Sequence, residues 1–145
     1  MLVHLSIDQW GVQQAAAKII RESVFIKEQG VPVDMEWDDM DASSIHVLAY
    51  VANDSGEHIA VGTARLLPDG YIGRMAVLND FRRQGVGSKM LGTLMQYAKF
   101  RGDMLIKISA QLSAIDFYKQ HGFTAFGDVY LEAGIAHIFM QCDFV

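Results

Sequence analysis

Apolar side chains recur along this chain at two spacings, and the switches between them mark its elements. A period near 3.6 lays one apolar stripe along a helix, whereas alternation or short apolar runs between turn residues mark strands. Trp10, Ala17, Ile20 and Val24 form such a stripe and predict a helical region from Asp8 to about Gln29, after a short strand from Leu2 to Leu5. An acidic loop from Val31 to Ser44 carries no period. Three strands are predicted next, Ile45 to Ala52, His58 to Leu67 and Tyr71 to Leu78. The turns Asn53-Asp54-Ser55-Gly56 and Pro68-Asp69-Gly70 between them suit antiparallel hairpins. Apolar residues at 86, 90, 91, 94 and 98 predict a helix from Val86 to Arg101, stopped by Gly102. A strand at 105–111, a helix at 113–121 and strands near 123–130 and 135–144 complete the chain. Ser113 and Asp116 have the spacing of a capping box, and Gly122 suits the left-handed position after a helix.

Composition narrows the class without naming a chemistry. The 145 residues are 51% hydrophobic and 20% charged, which fits one folded domain spanning 1–145 rather than a disordered chain. Repeats, linkers and low-complexity tracts are lacking. No apolar run reaches the length of a membrane span, and the expectation is no signal peptide before the first strand and no membrane partner. A single cysteine, Cys142, cannot form an internal disulfide, which points to a reducing, cytoplasmic setting. The net charge of −5 argues against a nucleic-acid partner. His4, His46, His58, His121 and His137 are scattered without ligand spacing, so no metal is expected.

The densest chemical signal is Arg82-Arg83-Gln84-Gly85-Val86-Gly87, set between a predicted strand and a predicted helix. Strand, glycine turn and helix start suit a phosphate, because the first N–H groups of a helix lack intrahelical partners and sit at the positive end of its dipole. A Walker A loop fails, since Met90 stands five residues after Gly85 where its second glycine belongs. A dinucleotide fingerprint fails too, since Met90 also replaces its third glycine and Asp103 stands before the next strand rather than at its end. Arg/Gln-x-x-Gly-x-Gly/Ala is matched by Arg82, Gly85 and Gly87.

That loop resembles the acetyl-CoA pyrophosphate loop of the GNAT superfamily of N-acetyltransferases. Phe117-Tyr118-Lys119-Gln120-His121-Gly122-Phe123 resembles the family's aromatic-Tyr-x-x-x-Gly-Phe segment. Val24 to Gly30, Glu36 to Asp41 through His46, and Gly62-Thr63-Ala64-Arg65 are similar to the ElaA-like branch. The resemblance covers nearly the whole chain in order. It implies an α/β fold, with a mixed, mostly antiparallel sheet of about seven strands, helices on both faces, and a splay between strands four and five. It implies an enzyme that moves an acetyl group from acetyl-CoA to a primary amine by direct attack in a ternary complex. A small amine is favoured over a protein amine. The rival from another class is a non-catalytic acyl-CoA-binding regulatory module, which would need the loop but not Tyr118. A homodimer paired through sheet edges or terminal strands is an expectation of the family.

The resemblance also implies site residues. Main-chain groups of Met75, Ala76 and Val77 would hold the pantetheine arm and face the thioester. Arg82, Arg83, Gln84, Gly85, Val86, Gly87 and Ser88 would cradle the pyrophosphate, and Gln111 would bond the cofactor's amides. Tyr118 falls at the family's tyrosine position as general acid, and a phenol with a pKa of about 10 is a donor at neutral pH. The acidic stretch from Asp34 to Asp41 holds five carboxylates in eight residues. Glu36 and His46, with Asp38 and Asp39, are read as the pocket that attracts a cationic amine and takes its proton. Arg65 and Arg74 either pair with these acids or bind an anionic group of the substrate. Cys142 reads as a small buried residue rather than a nucleophile.

Overall fold

The computed structural model describes residues 1–144; Val145, the last residue of the expected 1–145 domain, lies outside the described residues. The order is β1 (Val3–Gln9), α1 (Trp10–Arg21), a π-helical segment (Glu22–Glu28), α2 (Val33–Glu36), β2 (Ile45–Ala52), β3 (His58–Leu66), β4 (Ile72–Val77), α3 (Val86–Arg101), β5 (Leu105–Gln111), α4 (Ile115–Gln120), β6 (Thr124–Glu132) and β7 (Ile135–Asp143). The seven strands form two antiparallel sheets, β1-β2-β3-β4 and β5-β7-β6. This is the expected mixed α/β fold, with its antiparallel pairing and its split in the middle. Among the described residues, β4 and β5 share no ladder; a parallel bridge joins Tyr71, just before β4, to Lys107 of β5, where the Lys107 N–H donates to Gly70 O at 3.0 Å.

Helices cover both faces because β2 is apolar on both. Val47, Ala49 and Val51 point to one side, where Val86, Met90, Leu91, Leu94 and Ala98 of α3 pack with Ile106, Ile108 and Met140. Leu48 points to the other, with Ala17, Ile20, Val24, Phe25 and Val31 around it. Alternation along the strand therefore builds two cores at once. Gly62 lets α3 lie close on β3: a Cβ there would stand 3.0 Å from the Met90 side chain and 3.1 Å from Val86 Cγ1.

Four boundaries differ from the sequence expectation. Asp8 and Gln9 are strand, paired with His46 and Ile45, because β2 satisfies their backbone groups before α1 begins. The long helix is not α-helical throughout; from Glu22 it continues as a π-helical segment, with Gln29 N–H bonded to Val24 O at 3.0 Å. The acidic loop contains α2 and a short 3-10 turn at Asp41–Ser43. The capping box at Ser113 does not form: the chain leaves β5 through a 3-10 turn at Leu112–Ala114, so Ala114 caps α4 with no side-chain bond. The last two strands join at Ala133 and Gly134, whose φ values of 51° and 75° suit a two-residue hairpin.

Candidate active site

The gap between β4 and β5 opens into a cleft of about 1070 Å3. Its floor is the β4 edge from Gly73 to Val77, whose side toward β5 has lost its strand partner. One end runs into the turn before α3. Gly85 there holds φ 83°, a left-handed conformation that an L side chain adopts only with strain. The first helical bond is Lys89 N–H to Gly85 O at 3.1 Å, so the amides of Val86, Gly87 and Ser88 precede any intrahelical partner. Val86, Gly87 and Ser88 all line the cleft. Phe117 from α4 closes on Gly87, 3.4 Å from where a Cβ would lie, and His121 Nε2 meets Ser88 Oγ at 3.1 Å. The turn thus has the geometry of an anion cradle, with aromatic packing behind it.

Arg82 does not stand free beside that cradle. Its Nε donates to Val77 O at 2.8 Å, and its two terminal nitrogens grip the Glu28 carboxylate at 2.6 Å each. The hydrogen bond from Arg82 holds the Glu28 carboxyl below its ordinary value, while the same bond raises the Arg82 guanidinium. Arg82 therefore straps the loop to the end of β4 and to the π-helical segment. Arg83, at φ 62°, is exposed and lines the cleft. The Gln84 side chain turns away to Asp80 O at 3.2 Å. Gln111, at the far end of β5, donates to Gln29 Oε1 at 3.1 Å, a contact that closes the cleft from above.

Tyr118 lines the cleft but is only 9% exposed, held edge-on between Phe117 and Phe123. Burial pushes its phenol up to about 12. Its hydroxyl has no hydrogen-bond partner among the described residues.

The chain matches the family model described as "Acetyltransferase (GNAT) domain" over residues 12–144. It belongs to the GNAT acetyltransferases. It is 35% identical over 127 residues to the uncharacterized N-acetyltransferase YjcF of Bacillus subtilis, covering 86% of this chain and 88% of that one. It is 32% identical over 129 residues to protein ElaA of Escherichia coli, covering 83% and 81%. The ElaA crystal structure superposes with a TM-score of 0.84 at 26% identity, over 98% of this chain and 100% of that one. An acyl-CoA N-acyltransferase from Pseudomonas aeruginosa superposes with a TM-score of 0.83 at 27% identity, over 97% and 99%. The ElaA-like resemblance read from the sequence is met on both counts.

This GNAT acetyltransferase treats its acidic loop differently from the expectation. Glu36 is 2% exposed and accepts from Arg21 Nε at 2.7 Å. Asp41 accepts from Arg21 at 2.8 Å and from Arg65 at 2.9 Å. Asp38 takes both terminal nitrogens of Arg65, each at 2.8 Å, and Arg74 adds contacts to Asp38 and Glu36 at 3.3 Å. Three guanidiniums thus face three carboxylates in a closed network. Burial pushes the Glu36 carboxyl up despite the Arg21 hydrogen bond, whereas the Arg65 hydrogen bond pulls Asp38 down to about 2. Arg65 and Arg74 do pair with the acids, the first of the two roles considered for them. Glu36, Asp38, Arg65 and Arg74 still reach the cleft wall, with Arg74 in a left-handed conformation at φ 48°.

His46 and Asp39 do not reach the cleft, and the pairing of His46 with Glu36 at the acceptor end is corrected. The His46 ring is 1% exposed, stacks on Trp10 and bonds Asp41 O at 2.9 Å. It lies on the face of β2 that carries Leu48, under α1, and burial pushes its pKa down. Asp39 lies in an exposed turn.

Several functional side chains escaped the sequence reading. Arg21 sat inside a helical stripe and gave no sign of being the hub of the acid network. Gln29 and Glu28 depend on the π-helical segment for their direction. Ser109, Tyr130, Glu132 and His137 form a polar wall on the second sheet. The two-residue turn at Ala133-Gly134 was the available signal for the last of these, because it folds His137 back beside Tyr130.

Among the described residues no cluster of His, Cys, Asp or Glu is placed to hold a metal ion, and no helix is long and apolar enough to cross a membrane.

Proposed function

We propose that this N-acetyltransferase moves an acetyl group from acetyl-CoA to a small primary amine by direct attack in a ternary complex. The observation that carries the reading is the open β4 edge running into the Gly85–Ser88 turn, with Tyr118 on the same cleft. The turn supplies amides for the pyrophosphate, and the β4 edge supplies main-chain partners for the pantetheine arm and the thioester oxygen. Holding both reactants in one cleft turns a bimolecular reaction into a positioned one. The amine attacks the thioester carbon, the C–S bond breaks, and Tyr118 gives its proton to the departing thiolate. Cys142 is absent from the cleft wall and its thiol is pushed up by burial, which supports direct attack over an acetyl-cysteine intermediate.

Thiol release from acetyl-CoA, followed with and without a panel of primary amines, tests this. Release should depend on the amine and vanish in Gly85→Asp, which sets a carboxylate in the cradle. Binding of acetyl-CoA with no amine-dependent release would reduce the chain to an acyl-CoA-binding module.

A further inference from the structure

An amine acceptor arrives as a cation, and the cleft must offer it a carboxylate that is not already neutralised. Glu36 and Asp38 fail this requirement, since Arg21, Arg65 and Arg74 occupy them. Glu132 is the one cleft carboxylate with no arginine or lysine partner among the described residues. It stands on β6 beside the turn, half exposed, with His137 Nε2 at 3.5 Å and Ser109 Oγ at 3.4 Å. His137 is the one histidine on the cleft wall among the described residues.

The tautomer of His137 follows from its other bond. Nδ1 lies 2.6 Å from Ile135 O, and a carbonyl only accepts, so Nδ1 carries the hydrogen. In the neutral ring Nε2 is then a lone pair, directed toward the cleft side where Glu132 stands. A stacked Tyr130 fixes the ring, and Tyr130 is itself bonded to Ser109 at 2.5 Å. A ring oriented through one nitrogen, with the other free beside a carboxylate, is the arrangement of a general base.

We infer that Glu132 and His137 form the acceptor site: Glu132 holds the substrate ammonium and His137 Nε2 takes its proton before attack. The inference rests on the acetyltransferase reading and moves its acceptor side from the acidic loop to the β6–β7 hairpin. Two protons leave the nitrogen. His137 accepts the first, and the second leaves after the C–N bond has formed. One proton is returned to the CoA sulfur through Tyr118, and the other goes to solvent. The protonated ring donates through Nδ1 to Ile135 O and through Nε2 toward Glu132, which steadies the charge. The groups facing His137 are Glu132 and Tyr130 from β6, with the neutral Ser109 and Gln111 from β5.

The test uses ethanolamine, putrescine and lysine as acceptors with the wild type, Glu132→Gln and His137→Gln. Glu132→Gln should raise the acceptor KM about tenfold, the loss of one charge-assisted hydrogen bond. His137→Gln should lower kcat by about 10²-fold or more. The KM for acetyl-CoA should stay unchanged in both, and melting curves with CoA establish that both fold. Wild-type kinetics in both variants, with an active parent, overturn this inference and leave the acetyltransferase reading standing. A parent that releases no thiol with any of these amines overturns the inference and the reading of a small primary amine together.

Discussion

At the scale of single residues, Tyr118 and His46 show how burial assigns opposite duties. Tyr118 keeps its proton at neutral pH because burial between Phe117 and Phe123 pushes its phenol up to about 12. Tyr118→Phe should therefore lower kcat by about 10- to 100-fold, at or below the bottom of the general-acid range because a thiolate leaves readily. Steady-state kinetics beside calorimetric CoA binding measure it; an unchanged kcat with chemistry rate-limiting removes Tyr118 from the mechanism. His46 is buried without a route to the cleft, so its titration is a matter of stability. Burial lowers its folded pKa below the ordinary value of about 6.5. The unfolded chain then binds the proton more readily, so this contribution is complete above about pH 6.5 and is lost as pH falls through the folded pKa. Melting temperature should fall as pH drops below about 6.5, and less steeply in His46→Gln, which cannot titrate. Equal slopes would show that other groups dominate. Tyr118 was legible in the sequence because a short motif fixes its place on α4. His46 was misplaced because its sequence neighbours, five acids, say nothing of which face of β2 it occupies.

The elements explain why the acidic loop, read as a reception site for cations, is a structural clasp. Arg21 ends α1, Glu36 ends α2, Asp41 starts a 3-10 turn and Arg65 lies in β3, so one network ties four segments together. The Arg21 side chain is 1% exposed, which leaves no water to replace a lost partner. Arg21→Met would leave Glu36 only its 3.3 Å contact to Arg74 and remove one of the two partners of Asp41 Oδ1, and breaking a buried pair from one side costs about 3–5 kcal/mol. Urea unfolding should show that loss. A loss under about 1 kcal/mol, the range of exposed pairs, would contradict the clasp. The strands, α3 and the glycine turn were readable because they follow hydrophobic period and turn chemistry. The π-helical segment was not, since its residues keep a helical pattern while its hydrogen bonds reach back five residues instead of four. That change aims Glu28 at Arg82 and Gln29 at Gln111, so Arg82, which lines the cleft, is also anchored by a partner 54 positions away.

At the scale of the whole molecule, the two sheets share the core under α3 but separate along the β4–β5 side, where the cleft opens. One backbone bridge, the aromatic wall of Phe117 and the Gln29–Gln111 contact cross it, along with the Ala133–Ile135 hairpin tip that packs against the Val24–Phe25 cluster. A ligand that touches β4, the α3 turn and β5 together bonds both halves of the folded state and nothing in the unfolded chain. Such a ligand stabilises by RT ln(1 + [L]/Kd), about 2.7 kcal/mol at a hundredfold excess over Kd. For a chain of this size that corresponds to a rise of roughly 5–10 °C in melting temperature. Acetyl-CoA and CoA should both produce it. NAD and ATP should produce far less, because Met90 replaces both the third glycine of a dinucleotide site and the second glycine of a Walker loop. Gly85→Asp should abolish the CoA shift while the unliganded protein still melts cooperatively, since no atom lies within 4 Å of an added Cβ and only the φ of 83° is strained. A larger shift with NAD than with CoA would mean that the cleft was shaped for a different phosphate ligand.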